Sequence, residues 1–403
     1  MKNKILIVTE CFYPEEFKIN DVAIEWKNKG YDVEVLTTVP SYPESEIYNG
    51  YKNKFYQKEI WNDITIHRVK AVTGYKTSLI KKLLKYFSFM FFGSILALKI
   101  GKKYDYIFGF QVGALSSMFP AILLQKFYKR PVTLWIQDIW PDSVYAYGFK
   151  KTKVLQYLLD KFVSLVYRHT SSFAITGQGF KNRVIPYVSD DQLIKYCPNW
   201  ADELDANIEN IQLSDDSKIH FTFAGNIGKV QNLENVISAF GTLDNKFINK
   251  AQLNIIGDGS ELNNLKELVQ KNNFNNILFH GRKPRIDMSK YLNASHFLIV
   301  SLVDKPIFSL TVPAKTQTYI AAKKPILAIL KGDGAKIIKD NDLGYISDPN
   351  NLQDIQNIFI KAINTDGEQI SNFTKNCDIL NNTIFNKDNI INNLLSLTIK
   401  SKT

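Results

Sequence analysis

Residues 220–240, HFTFAGNIGKVQNLENVISAF, set the fold. His220–Phe223 is a short apolar β run, Gly225–Gly228 (GNIG) breaks it, and Leu233–Phe240 carries helical periodicity. A buried strand running through glycines into a helix is the unit of a parallel sheet covered on both faces. The same unit recurs downstream: Gln252–Ile256 leads into GDGSE and the helix Leu262–Lys271, and Asn276–His280 leads into GRKPR. His296–Ser301, Lys324–Leu330 and Gly344–Ser347 continue the series. The N-terminal half repeats the pattern, with strands expected at Lys4–Thr9, Tyr31–Thr37, Ile64–Val69, Tyr104–Phe110, Val132–Gln137 and Ser172–Thr176. A helix is expected at Asp21–Lys29, ending at Gly30.

Between the halves, residues 197–217 are rich in Asp, Asn and Glu and read as a linker. The 403 residues exceed the roughly 250–300 that one core sustains. The expectation is α/β: two doubly wound, Rossmann-like domains, 1–200 and 201–382, facing a central cleft. Residues 383–403 form a C-terminal helix that packs back towards the first domain on this reading. Three scattered cysteines, Cys11, Cys197 and Cys377, exclude a disulfide scaffold and a cysteine zinc site. The apolar run Ile5–Val8 is too short for a secretory signal, so a reducing, cytosolic setting is expected.

The net charge of +11 is unevenly spread. Residues 1–200 hold 28 basic and 17 acidic side chains, whereas residues 201–403 hold 22 of each. Confinement to one half points to an anionic surface or substrate facing that half, although a Lys-rich composition alone would give a milder asymmetry. The densest part is 77–103, TSLIKKLLKYFSFMFFGSILALKIGKK. Its thirteen uncharged residues, Tyr86–Leu98, fall short of the ~18–20 that span a bilayer. Lys81, Lys82, Lys85 and Ser88 form one helical stripe, opposite Ile80, Leu83, Leu84, Phe87 and Phe91. Two readings stand: a helix lying in the headgroup region, with Phe87 and Phe91 down and the lysines level with phosphates, or a core helix. Nucleic-acid binding is disfavoured, because no recognition motif accompanies the basic residues.

Glycines directly after a strand let backbone approach a phosphate at a helix start. Three such turns lie in the second half, at Gly225–Gly228, Gly257–Gly259 and Gly281–Arg282. Neither G-x-G-x-x-G nor the P-loop pattern is present. Lys315, after Pro313 and Ala314, and Lys229, after Gly228, stand at helix starts and suit a diphosphate leaving group. On the other side, Glu15, Glu16 and Asn20 follow the first strand and Asp138 follows another, where a carboxylate orients or deprotonates a hydroxyl. Helix capping is the alternative for Asp138. Asp340–Asp342 reads as a turn, and His67, His220 and His296 as structural; His280 is placed near the nucleotide pocket.

The segments FAGNIGKVQNLENVISAF, IGDGSE, FHGRKPR and VPAKTQTYIAAKKPILAIL resemble family 4 retaining glycosyltransferases, which have the GT-B fold. LWIQDIWPDSVYAYG and YCPNWADE are similar to a narrower branch, bacterial O-antigen and capsule transferases such as N-acetyl-L-fucosaminyl transferases. The resemblance spans roughly residues 1–350. It implies transfer of a sugar, an N-acetylated hexosamine or deoxyhexosamine, from a UDP-sugar, without a metal or other cofactor. The acceptor would be a polyprenyl-diphosphate-linked saccharide, reached by a peripheral protein on the inner face of the cytoplasmic membrane, beside other polysaccharide-assembly enzymes.

The donor side is then expected at Gly225, Asn226, Gly228, Lys229, Gln231, Gly257, Asp258, Gly259, Arg282, Pro313, Ala314, Lys315 and Thr318. The acceptor side is expected at Glu16, Asn20, Tyr42, Gln111 and Asp138, with Asp138, Lys315 and Lys229 catalytic. The sequence departs from the family at several points. Asn226 and Gln231 stand where the family has Arg and Lys, Leu310 and Thr318 where it has two Glu, and Gln111 where it often has His. Two other readings remain open: a GT-B nucleotide-sugar epimerase, and a catalytically inactive membrane-bound assembly partner.

Overall fold

The computed structural model describes residues 3–75, 78–146, 149–201, 204, 211, 213 and 217–401, apart from the side chains of Leu79 and Lys82. Thr77, the Lys82 side chain and much of the expected linker therefore lie outside the described residues. The chain divides into two compact units. The first comprises 1–176, 180–198 and 390–403, and the second comprises 177–179 and 199–389.

The first unit is built on an eight-stranded sheet. Its strands are β1 (Lys4–Val8), β2 (Asp32–Thr38), β3 (Tyr56–Trp61), β4 (Ile64–Val69), β5 (Tyr106–Gln111), β6 (Val132–Ile136), β7 (Ser172–Ile175) and β8 (Leu193–Tyr196), in the order β3-β4-β2-β1-β5-β6-β7-β8. All neighbours are parallel except β3 and β4. The strand β3 was not anticipated: YQKEIW alternates half-buried with exposed residues, as an edge strand does, and lacks an apolar run. Strand β8 (LIKY) escaped notice for the same reason.

The second unit holds six parallel strands: β9 (Ile219–Ala224), β10 (Ala251–Ile256), β11 (Ile277–Gly281), β12 (Phe297–Ser301), β13 (Ile326–Ile329) and β14 (Gly344–Ser347), in the order β11-β10-β9-β12-β13-β14. Phe221, Leu253, Ile299 and Leu327 join Val236 and Phe359 from the covering helices in one core cluster. In each sheet the strand order reverses once, between β1 and β5 and between β9 and β12. The carboxyl ends of the strands at such a reversal are where doubly wound sheets bind ligands.

The helices of the first unit are α1 (Lys18–Asn28), α2 (Leu79–Ile100), α3 (Phe119–Tyr128), α4 (Asp142–Ala146) and α5 (Lys153–Arg168). The Oγ of Ser78 caps α2 by accepting the Lys81 N–H. Gly93 brings α2 onto α3: a Cβ there would sit 3.1 Å from Pro120 Cγ. The Tyr128 hydroxyl donates to Leu98 O at 2.6 Å across the same seam. By length and composition Leu83–Lys103 is apolar enough to cross a membrane. Phe89 and Ala97 on one face of it are fully buried in the protein.

The orientation of α2 corrects the sequence reading. Lys85 was placed level with lipid phosphates, but it and Ser88 point inward and are buried. The Lys85 ammonium lies 3.9 Å from the Glu10 carboxylate and 4.3 Å from the centroid of the Tyr75 ring. The polar stripe therefore has a partner in the loop after β1, and the apolar stripe is left outside. Ile80, Leu84, Phe87, Phe91 and Ile95 are all exposed, Phe87 by 56% and Phe91 by 60%. Lys81, on the same stripe, is exposed. Lys103 instead pairs with Glu34, which also binds His67 and Tyr104.

The helix Lys387–Lys400 closes the chain, and its residues from Ile390 onward belong to the first unit. The Trp26 indole N–H donates to Ile391 O at 3.3 Å, and the Ser401 hydroxyl lies 3.0 Å from that of Thr133 and 2.7 Å from that of Ser172.

Candidate active site

In the second unit the chemistry gathers where β9 and β10 end. Gly225 (φ 136°) and Gly257 (φ 140°) occupy backbone conformations that L side chains rarely adopt. They pack so closely that a Cβ on Gly257 would meet Gly225 O at 1.8 Å. The two turns are stitched by Gly225 N–H to Ile256 O and Ile227 N–H to Asp258 O. A cavity of 610 Å³ opens beside them, lined by Gly225, Asn226, Gly257, Asp258, Gly259, Arg282, Lys283 and Met288.

Lys315 lies against the same turn. A Cβ on Gly225 would stand 2.5 Å from Lys315 Cε, so the glycine is what lets the side chain pass. Its ammonium sits 4.0 Å from the centroid of the Phe223 ring. No carboxylate pairs with it among the described residues, and burial pushes its pKa down to about 8. It leads the first turn of the helix Ala314–Ala321, which has Pro313 at its N-terminal boundary, no side-chain cap and no acidic residue in that turn. A desolvated ammonium beside uncapped amides is an arrangement short of one anion.

The other expected donor residues distribute unevenly. Lys229 is exposed and lines a separate depression with Glu234, Glu261 and Glu267. Gln231 turns back, its Oε1 accepting the Gly228 N–H at 3.0 Å. The hydroxyl of Thr318 donates to Ala314 O in its own helix. Arg282 borders the cavity, joined by Lys283, which the sequence reading passed over although it is the next residue of GRKPR. His280 bonds Asn254, which also meets His220, so it belongs to a polar network within the sheet.

In the first unit the ends of β1, β5 and β6 meet. Asp138 Oδ2 accepts the Gly113 N–H at 2.6 Å, and burial raises its pKa while that bond opposes the rise. Gln111 is fully buried; its Nε2 donates to Gly113 O, and its Oε1 has no partner among the described residues. Glu10, next to β1, is also buried with Oε1 unpartnered. Burial lifts its pKa to about 7, with Lys85 opposing and Glu15 adding to the rise. Two orphaned buried acceptors at one strand-order reversal call for hydroxyl donors. The sequence reading missed Glu10, yet the rule that selected Glu15 and Glu16, a carboxylate just after β1, covers it.

The neighbours are mostly structural. Glu15 accepts the N–H groups of Phe12, Ser41 and Tyr42. Asn20 accepts from Tyr13 N–H and donates to Glu15 O. Tyr42 is half exposed, 5.3 Å from the Phe17 ring, and its raised pKa reflects burial together with Cys11, Tyr75 and Asp138. Glu16 is exposed.

Residues 205–378 match the family model described as glycosyl transferases group 1. The chain is 28% identical over 253 residues to the probable glycosyltransferase WbjE of Pseudomonas aeruginosa, a match covering 59% of this chain and 62% of that relative's length. It is 27% identical over 299 residues to the putative colanic acid biosynthesis glycosyl transferase WcaI of Escherichia coli, covering 68% and 71%. Anabaena Alr3699/HepE in complex with UDP superposes over 98% of both chains, with a TM-score of 0.66 at 14% identity. The protein therefore has the α/β GT-B fold of two Rossmann-like units, and its residues 205–378 form a glycosyl transferases group 1 domain.

Proposed function

We propose that the protein is a retaining glycosyltransferase. It moves a sugar, an N-acetylated hexosamine or deoxyhexosamine, from a UDP-sugar to a polyprenyl-diphosphate-linked saccharide during synthesis of a bacterial surface polysaccharide. One observation carries the reading: the unpaired, desolvated ammonium of Lys315 laid across Gly225 beside an uncapped helix start. That arrangement suits a diphosphate better than a neutral ligand. The descriptions of WbjE and WcaI, and the UDP held by the Anabaena protein, support the same reading.

On this reading the bond between the anomeric carbon and the diphosphate oxygen breaks as an acceptor hydroxyl oxygen bonds to the same face. The hydroxyl proton passes to the departing diphosphate. Lys315, Arg282, Lys283 and the amides of the helix start offset the charge that develops on the leaving group, and no metal is required. Asp138, Gln111 and Glu10 hold acceptor hydroxyls, Gln111 and Glu10 through oxygens that have no hydrogen-bond partner among the described residues. We place the protein peripherally on the inner face of the cytoplasmic membrane, with the exposed apolar stripe of α2 in the headgroup region. The test is a panel of nucleotide sugars with a lipid-linked acceptor, beside calorimetric titration of UDP. Transfer from one UDP-sugar, and UDP binding lost in Lys315→Ala, are expected. An absence of both UDP binding and transfer overturns the reading.

A further inference from the structure

The first unit contains a second cavity, of 630 Å³, between α2 and α5. It falls in the ~300–1,000 Å³ range of small-molecule pockets, yet lacks their usual set of placed polar groups. Phe87 and Met90 line it from α2, Leu159 and Phe162 from α5, and Ala114 and Trp140 from the loops after β5 and β6. Among the described residues, the one side-chain hydroxyl in its wall besides that of Tyr86 is Ser116 Oγ, which is buried without a hydrogen-bond partner.

Three observations fix the chemistry of an occupant. The wall accepts hydrocarbon. Exposed apolar side chains stand next to wall residues on both flanking helices, Phe91 beside Met90 on α2 and Val154 and Leu158 beside Leu155 and Leu159 on α5. An exposed lysine, Lys161, stands next to the wall residue Phe162 on α5. Finally, the loop that forms one wall is bonded to the candidate acceptor carboxylate. Gly113 gives its N–H to Asp138 and receives the Trp140 indole N–H on its carbonyl at 3.0 Å.

We propose that this cavity seats the head-proximal isoprene units of the lipid that carries the acceptor sugar, bringing its diphosphate and sugar beside Asp138. The assignment rests on the reading of the acceptor as lipid-linked. A hydrocarbon chain enters from the apolar side, and Lys161 meets the phosphates of the lipid or of the surrounding bilayer. The cavity thereby distinguishes a prenyl-linked sugar from the same sugar free in water.

The test uses the full chain and farnesyl phosphate below its micellar concentration, with binding followed by calorimetry. Saturable binding is expected, weakened about tenfold or more by Leu159→Trp, which fills the cavity, and likewise by Ser116→Leu should the first variant fold poorly. UDP affinity of the same variants should not change, which controls for folding. Binding that never saturates, or that both folded variants retain, overturns the assignment. So does a dimer in sedimentation that Leu159→Trp dissolves, because the occupant is then a second copy of the chain. Transfer assays separate the two proposals. A wild-type KM equal for polyprenyl and short-alkyl acceptors refutes the cavity and leaves the transferase reading intact. Cavity binding without transfer to any acceptor does the reverse.

Discussion

Among the described residues, the chain up to position 200 leaves eighteen large apolar side chains exposed, whereas the chain beyond it leaves five. The same first stretch carries the whole excess of positive charge. Both units are doubly wound sheets with helices on their faces, so the fold does not impose the difference. One unit spends its surface on hydrocarbon and lysine, and the other on glycine turns, an ammonium and amides. On the function proposed above, the first unit would hold an acceptor at a lipid surface and the second a donor drawn from water.

The contrast breaks most easily at Lys315. Lys315→Ala should lower kcat/KM by about 10²–10³-fold, the usual cost of removing one preorganised stabilising group, and abolish measurable UDP binding. Gly225→Ala should follow. Its Cβ would drive into Lys315 at a backbone angle unfavourable to alanine, weakening UDP binding and costing about 1–3 kcal/mol in chemical denaturation. On the other unit, Phe87→Glu with Phe91→Glu should abolish flotation with anionic liposomes. The stability of that double variant should stay within about 0.5 kcal/mol per site, since both rings are exposed. Flotation that survives the change would remove the lipid half of the comparison.

The smallest effect concerns Glu10. Burial raises its pKa in the folded state to about 7, above the ordinary carboxyl value of 4.5, so the folded state binds the proton more tightly. That contribution is fully present below pH 4.5 and is lost as pH rises through 7. Glu15 and Cys11 face the same carboxyl, as does Lys85, whose ammonium is raised above its usual range by Glu10, Cys11 and Tyr75 against the effect of burial. Glu10→Gln should flatten the dependence of the denaturation midpoint between pH 4.5 and 7. An unchanged slope would assign the titration to another group.

Much of this architecture was legible in the residues. Runs such as KILIV and FLIVS announce buried parallel strands, and glycines after β9 and β10 announce phosphate-ready turns. The orientation of α2 was not legible. Periodicity separates two faces of a helix without saying which is inside, and the decision rests on Glu10, 75 positions before Lys85. Nor did proximity in sequence reveal that Lys229 and Gln231 would turn away from Gly225 while Lys315, ninety residues on, would cross it. Edge strands β3 and β8 were hidden because their outer faces meet water and interrupt the apolar pattern with Tyr56 and Lys58 in one and Lys195 in the other.

The seating of residues 390–401 in the first unit also bears on how the chain is made. Trp26 obtains its carbonyl partner from Ile391, and the buried hydroxyls of Thr133 and Ser172 wait for Ser401. During translation the second unit has all its parts once residue 389 has emerged, while the first still lacks its closing segment. The half synthesised first is thus the half completed last. The first unit stays unfinished until the turns that follow Ile390 have emerged.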